Sequence, residues 1–233
     1  ASLPDVPEDW TPARRRDANL AAMRLLASKA PSAMTVEDRV VLSRYSGHGG
    51  LSLEEIKSSI PPSLELDPES LLHEYYTPFQ VCLEVARVMQ PLLERIKGTD
   101  GVIRALEPSA GTGRFPRAFD TLTAKPPMRW TCIELSSVAA MMLAAVRPGT
   151  EVVASSFETW VSKNQKPFNL VVANPPFGER GRHKGEDSNR EYREDQAAAY
   201  FVRRGLDVLV PNGLGAFIIP AGYLSDKRRD KWR

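Results

Sequence analysis

Two short stretches and one isolated carboxylate carry residue types that could do chemistry together. The first stretch is Asn174-Pro175-Pro176-Phe177, where the apolar run "NLVVANPPF" stops at an amide, a rigid turn and an aromatic ring. The exocyclic amine of a nucleobase is a poor nucleophile, because its lone pair is delocalised into the ring. The amide oxygen of Asn174 and the carbonyl of Pro175 could each accept one N–H. That would push the nitrogen toward tetrahedral geometry with no strong base. Pro175 and Pro176 restrict the backbone so that both acceptors stay aimed. Phe177 offers a face on which an extruded base could stack. The plainer alternative for these four residues alone is a proline turn with a buried aromatic.

The second stretch, "RALEPSAGTGRF", sets Glu107, Gly111 and Gly113 just after a strand-like run and before a helix start. Glycines at the carboxyl end of a strand let main chain approach a ligand with no Cβ in the way. The spacing lacks the third glycine of the dinucleotide fingerprint that serves a pyrophosphate, whereas a cationic ligand would favour the carboxylate of Glu107. The next strand ends in Glu134, where an acid can accept from both hydroxyls of a ribose. Taken in order, these signals favour a nucleoside cofactor with a positive centre. S-adenosylmethionine, with its adenosine, sulfonium and amino group, has that chemistry. His48 and His183 have no partners at ligand spacing, so no metal is expected.

These residues need a scaffold to bring them together. From residue 71 onward, the strand-like "GVIRALEP", "RWTCIEL", "EVVASSF", "NLVVANPP" and "GLGAFIIPA" alternate with the helical "PFQVCLEVARVMQPLLERI", "SVAAMMLAAV" and "EDQAAAYFVRRGLDVLV". The alternation predicts an α/β fold, a mainly parallel sheet with helices on both faces over 71–233. Asn174 then follows the fourth strand, on the same sheet edge as Glu107 and Glu134. Residues 1–70 form a separate helical extension and linker. Leu20, Met23 and Leu26 mark one helix, Thr35 and Asp38 stand as the capping box of a second, and "SIPPSLELDP" is the linker. The "YSGHGGL" segment reads as a loop, and Thr77 and Pro78 as the cap and first residue of the helix that follows. The strongly charged 178–195 segment reads as a mobile, solvated lid, with Arg180 and Arg182 as candidates for phosphate contacts.

Composition sets outer bounds. The 233 residues, 42% apolar, can enclose a sizeable core. No apolar run approaches a membrane span, and the start lacks a signal peptide's character, so a cytoplasmic protein is expected. Cys82 and Cys132 lie in separate apolar runs and read as reduced core residues. A formal charge of +2 permits nucleic-acid contact without arguing for it. The basic "SDKRRDKWR" ends without a capping signal, which suggests a longer parent.

The ordered set "YYTP", "LEPSAGTGRF", "CIEL" and "NPPFG" resembles the class I, N6-adenine DNA methyltransferases over residues 73–223. The leader "NLAAMRLLASKAPSAMTVEDRVVLSRYSGHGGL" resembles that of phage and plasmid methylase-helicase fusion proteins, some linked to antirestriction. The resemblance implies a Rossmann-like fold and methyl transfer from S-adenosylmethionine to the N6 amine of adenine in DNA. It implies that Tyr76, Thr77, Glu107, Pro108, Gly111, Gly113 and Glu134 bind the cofactor and that Asn174, Pro175, Pro176 and Phe177 form the catalytic loop. DNA is the implied partner, with a helicase region of the parent or other antirestriction components beside it. Many relatives place an acid where this chain has Ser155 and Ser156. Phe157, next in line, could pack against the adenine of the cofactor or simply against the core. No segment after residue 223 is long enough for target recognition. Two rivals stand: transfer to protein glutamine or RNA guanine, and a methyltransferase-like binding module with little turnover.

Overall fold

The computed structural model describes residues 3–7, 9–48, 51–61, 76–164 and 167–225. The linker and the "HEY" residues before Tyr76 therefore lie almost wholly outside the described residues, as do Gly49 and Gly50. Five strands form one parallel sheet: β1 Ile103–Glu107, β2 Met128–Glu134, β3 Glu151–Ala154, β4 Phe168–Ala173 and β5 Leu209–Phe217, in the order β3-β2-β1-β4-β5. β4 is buried at every residue, while the outer strands β3 and β5 are partly exposed, as a sheet covered on both faces requires of its middle.

Side-chain alternation sorts the strands onto two helical layers. Ala105, Trp130, Cys132, Leu170 and Val172 share a core with Cys82, Ala86, Met89, Leu93 and Ile96 of α4 (Phe79–Ile96) and with Phe115 and Phe119 of α5 (Arg114–Asp120). The spacing of the α4 set is one face of a helix. Leu106, Ile133 and Val171, one residue out of step, face the opposite way. They meet Phe157, Trp160 and Val161 of α7 (Phe157–Lys163) and Tyr200 and Phe201 of α8 (Ala197–Asp207).

Among the described N-terminal residues there are three α-helices, α1 Pro12–Ser28, α2 Val36–Ser43 and α3 Leu53–Ser59, where the sequence suggests two. Thr35 and Asp38 do make the capping box of α2, and Ser52 and Glu55 make a second for α3. Leu20, Met23, Leu26, Leu42, Tyr45 and Ile56 pack against Val138, Met142 and Ala145 of α6 (Ser137–Val146), so the extension shares a core with the sheet domain.

Two strand boundaries differ from the sequence reading. β3 stops at Ala154, because Ser156 caps α7, its hydroxyl accepting from Thr159 N at 3.1 Å. β5 begins at Leu209, inside the run read as helix. α8 ends at Asp207, and the ladder to β4 jumps from Phe168↔Leu209 to Leu170↔Leu214. The extra residues bulge out around Asn212, whose φ of 64° is the one positive non-glycine φ described.

Candidate active site

In the sheet order β3-β2-β1-β4-β5, successive connections leave β1 toward one edge and β4 toward the other. The loops after these two neighbours therefore part and leave a crevice at the carboxyl ends of the strands. A cavity of about 460 Å³ occupies this place. Tyr76, Pro108, Gly111, Glu134, Phe157 and the whole of Asn174-Pro175-Pro176-Phe177 line it. Thr77, Glu107 and Gly113 do not; they stand behind its wall.

Glu134, at the end of β2, is anchored on both oxygens. Gly111 N donates to one at 2.6 Å and Ser136 N to the other at 2.8 Å. These bonds favour the ionised form, but burial outweighs them and pushes the carboxyl above its ordinary value. Glu107, at the end of β1, is 2% exposed and one of its oxygens has no hydrogen-bond partner. Burial, and then the neighbouring Glu134, push its carboxyl well above the usual range. Two acids thus sit at adjacent strand ends, Glu134 lining the cavity and Glu107 outside its lining, with no described salt bridge to either.

The glycine loop is shaped by its neighbours. Gly111 has φ 52°, and a Cβ there would lie 2.6 Å from the ring of Tyr76. Gly113 has φ 74° and caps α5, and a Cβ there would lie 2.2 Å from Leu143. Gly113 thus brings α5 close to α6.

Thr77 does not cap α4, whose N-cap residue is Pro78 and whose first turn has no side-chain cap. Its hydroxyl instead accepts from Asn174 Nδ2 at 2.9 Å, while Asn174 Oδ1 is buried without a partner. Ser109, which the sequence reading passed over, donates from its hydroxyl to the main-chain oxygen of Asn174 at 3.0 Å and ties the loop after β1 to the loop after β4. Its one signal in sequence is a polar side chain inside the glycine loop. Phe177 remains 47% exposed, with its ring at the cavity.

Most of the 178–195 segment is exposed, as expected of a solvated segment, but Arg180, Asp187 and Tyr192 anchor it to the domain. The Arg180 side chain is fully buried, donates to Glu158 Oε1 at 3.1 Å and to the carbonyls of Tyr192 and Glu194, and lies over the ring of Tyr200. It is therefore withdrawn from phosphate contact. Glu186 of the same segment hydrogen-bonds the hydroxyls of Ser156 and Thr159, which brings a carboxylate to the end of β3 where the strand itself supplies serines. Phe157 is 2% exposed and packs its ring 5.0 Å from that of Phe201, so core packing is one of its jobs even though it also borders the cavity.

The parallel sheet and the crevice at its carboxyl edge define a Rossmann-like α/β architecture. Residues 134–233 match the family described as Eco57I restriction-modification methylase. The chain is 32% identical over 222 residues to the Defense against restriction protein B of Escherichia phage P1, covering 94% of this chain and 8% of that protein. It thus spans under a tenth of the length of that curated relative. Among solved structures, a putative class I S-adenosylmethionine-dependent methyltransferase from Listeria monocytogenes superposes with a TM-score of 0.57 at 14% identity, over 94% of this chain and 78% of that one. The modification subunit of a putative type I restriction enzyme from Vibrio vulnificus does so with a TM-score of 0.50 at 18% identity, over 77% and 39%. A type I methyltransferase subunit from Streptococcus thermophilus gives 0.51 at 18%, over 64% and 35%. By these likenesses the chain resembles methyltransferase domains of the restriction-modification type.

Proposed function

We propose that this domain transfers a methyl group from S-adenosylmethionine to the N6 amine of an adenine extruded from DNA. The observation that carries the reading is the buried, unpartnered Oδ1 of Asn174, in a residue that lines the same cavity as Glu134. An acceptor left without a hydrogen bond in a folded protein is costly unless a ligand supplies the donor. The amine of a base is such a donor.

The residues at the other end of the cavity fit the cofactor. Glu134, held by two backbone N–H groups, keeps lone pairs for ribose hydroxyls. Gly111 and Pro108 offer close main chain, and the cavity volume lies within the range for cofactor pockets. Glu107, Pro108, Gly111, Gly113, Glu134, Tyr76 and Phe157 form the proposed cofactor end, with Glu107 and Gly113 acting from behind the wall. When bound, S-adenosylmethionine supplies the electrophilic methyl group. The chain's own work is to orient and desolvate the amine. Asn174 Oδ1 and the Pro175 carbonyl accept its two N–H bonds, the prolines keep those acceptors fixed, and Phe177 stacks on the base. As the N–CH3 bond formed, the S–CH3 bond would break with its electron pair leaving on sulfur as S-adenosylhomocysteine, and the extra proton of the amine would pass to water.

The protein would act in the host cytoplasm within a larger antirestriction assembly, with DNA as substrate and a helicase region as neighbour. The test is to incubate the intact protein with labelled cofactor and DNA and digest the product to nucleosides. Label is expected in N6-methyl-2′-deoxyadenosine, with Asn174→Ala reducing incorporation by about 100-fold or more, as for loss of one preorganised transition-state group. Equal labelling by both proteins would exclude the assigned role, and label in another product would change the acceptor.

A further inference from the structure

Activation of the amine needs the Pro175 carbonyl to face it. Pro175 and Pro176 have ring-locked φ angles, and each restricts the residue before it, so the two prolines move as one stiff block. How that block is turned is set upstream, by ψ of Asn174. A following proline confines that ψ to a window of roughly 40°, whereas a reacting group must be held to within about 10–20°. The prolines by themselves therefore leave the acceptor too loosely aimed.

The remaining freedom falls where the support of the sheet has just run out. β4 ends at Ala173, whose carbonyl accepts from Ile218 N at 2.9 Å, and Asn174 is the first residue beyond it. The Asn174 carbonyl lies in the peptide plane that this ψ rotates, and Ser109 Oγ donates to it at 3.0 Å. A carbonyl has no proton to give, so the bond has one direction only. The other end of the same peptide unit is the Pro175 nitrogen, which carries no hydrogen, so a turned plane offers the hydroxyl nothing. Ser109 itself stands on a fixed post. Ala110 N, next in sequence, donates to the Ile133 carbonyl at 2.9 Å and Gly111 N to Glu134 Oε2 at 2.6 Å, both acceptors at the end of β2.

We propose that Ser109 is a positioning residue for the reaction: its hydroxyl holds the Asn174–Pro175 peptide plane so that the Pro175 carbonyl is aimed at the substrate amine. This inference rests on the methyl-transfer reading of the site. Ser109 lines the cavity between Pro108 and Gly111, in the loop proposed for the cofactor, so the same bond keeps the acceptor in register with the methyl donor. Without the hydroxyl the proline block swings through its window, and only part of that window is productive.

The experiment reads kcat and KM for DNA on the intact protein, with cofactor affinity by calorimetry and a thermal melt of each variant. Ser109→Ala is expected to lower kcat about three- to tenfold, between the share of the window lost and the net weight of one hydrogen bond. KM for DNA and cofactor affinity should change by less than about twofold, since neither depends on the aim of the carbonyl. Ser109→Thr, which keeps the donor, restores most of the rate. Should its added methyl lower the melt, Ser109→Cys takes its place, with the shape of serine and a weaker donor, and is expected to fall between the parent and Ser109→Ala.

An unchanged kcat in Ser109→Ala, a fall in cofactor affinity as large as the fall in kcat, or no recovery with either donor-bearing variant would each overturn the proposal. The underlying reading fails separately. If Asn174→Ala retains full activity, acceptor chemistry in this loop is wrong and the inference goes with it. If Asn174→Ala is inactive while Ser109→Ala is not impaired, only the positioning role is lost.

Discussion

Glu107 shows how one buried carboxyl can report on a site. Its carboxyl is held well above the ordinary value of 4.5, by burial first and by Glu134 second. A group whose folded value is raised contributes stability that is fully present below its unfolded value and is lost as pH rises through the folded one. The native state therefore weakens from about pH 4.5 upward until Glu107 is ionised. Glu107→Gln keeps the shape and removes the titration. It is expected to melt higher than the parent at pH 8 and to lose that advantage near pH 4.5, as thermal melts across the range would show. A positively charged ligand at the strand ends should narrow the gap, since it favours the ionised acid. Arg180 gives the opposite lesson at the same scale. In sequence it stands among charges just after Asn174-Pro175-Pro176-Phe177, but Glu158, 22 residues earlier, and the Tyr200 ring draw it inside.

At the scale of elements, the glycine loop binds two helices as much as it faces a cavity. Gly113 adopts a left-handed conformation and leaves no room for a methyl beside Leu143. Gly113→Ala is expected to destabilise the domain by about 2–4 kcal/mol, from backbone strain and overpacking together. Leu143→Ala added to it should recover the packing part and leave the backbone part, a split that denaturant titrations of the two variants and the double variant can resolve. The local signals that predicted elements well were of this kind. The 3- and 4-residue spacing in α4 and the capping box of α2 are set by neighbours along the chain, and they appear as expected. The helix-to-strand boundary at Leu209 was not legible, because "DVLV" suits either state and only pairing with Phe168 of β4 selects the strand.

Across the whole molecule, the N-terminal helices share a core with the sheet domain. Arg39 Nε donates to the carbonyl of Ala145 at 3.0 Å at the end of α6, and Arg117 of α5 donates to the carbonyls of Leu3 and Pro4. Met23 is fully buried in the core shared with α6. Met23→Ala should cost about 2–5 kcal/mol, and because the core is shared, one cooperative transition should shift by that amount. Two separate transitions in calorimetry, with only one of them moved, would show the extension to be an independent unit.

Sequence alone determined the alternation of strand and helix, and with it the parallel sheet and the edge to which Pro108, Glu134 and Asn174 belong. Those properties follow from hydrophobic period and from turn residues acting on near neighbours. Tertiary structure decided the rest: that the Thr77 hydroxyl meets the Asn174 amide, that Glu107 sits outside the cavity lining, and that Arg180 of the charged segment is drawn inside. Each of these depends on which distant groups come within hydrogen-bonding reach once the chain is compact, and no local pattern encodes that distance.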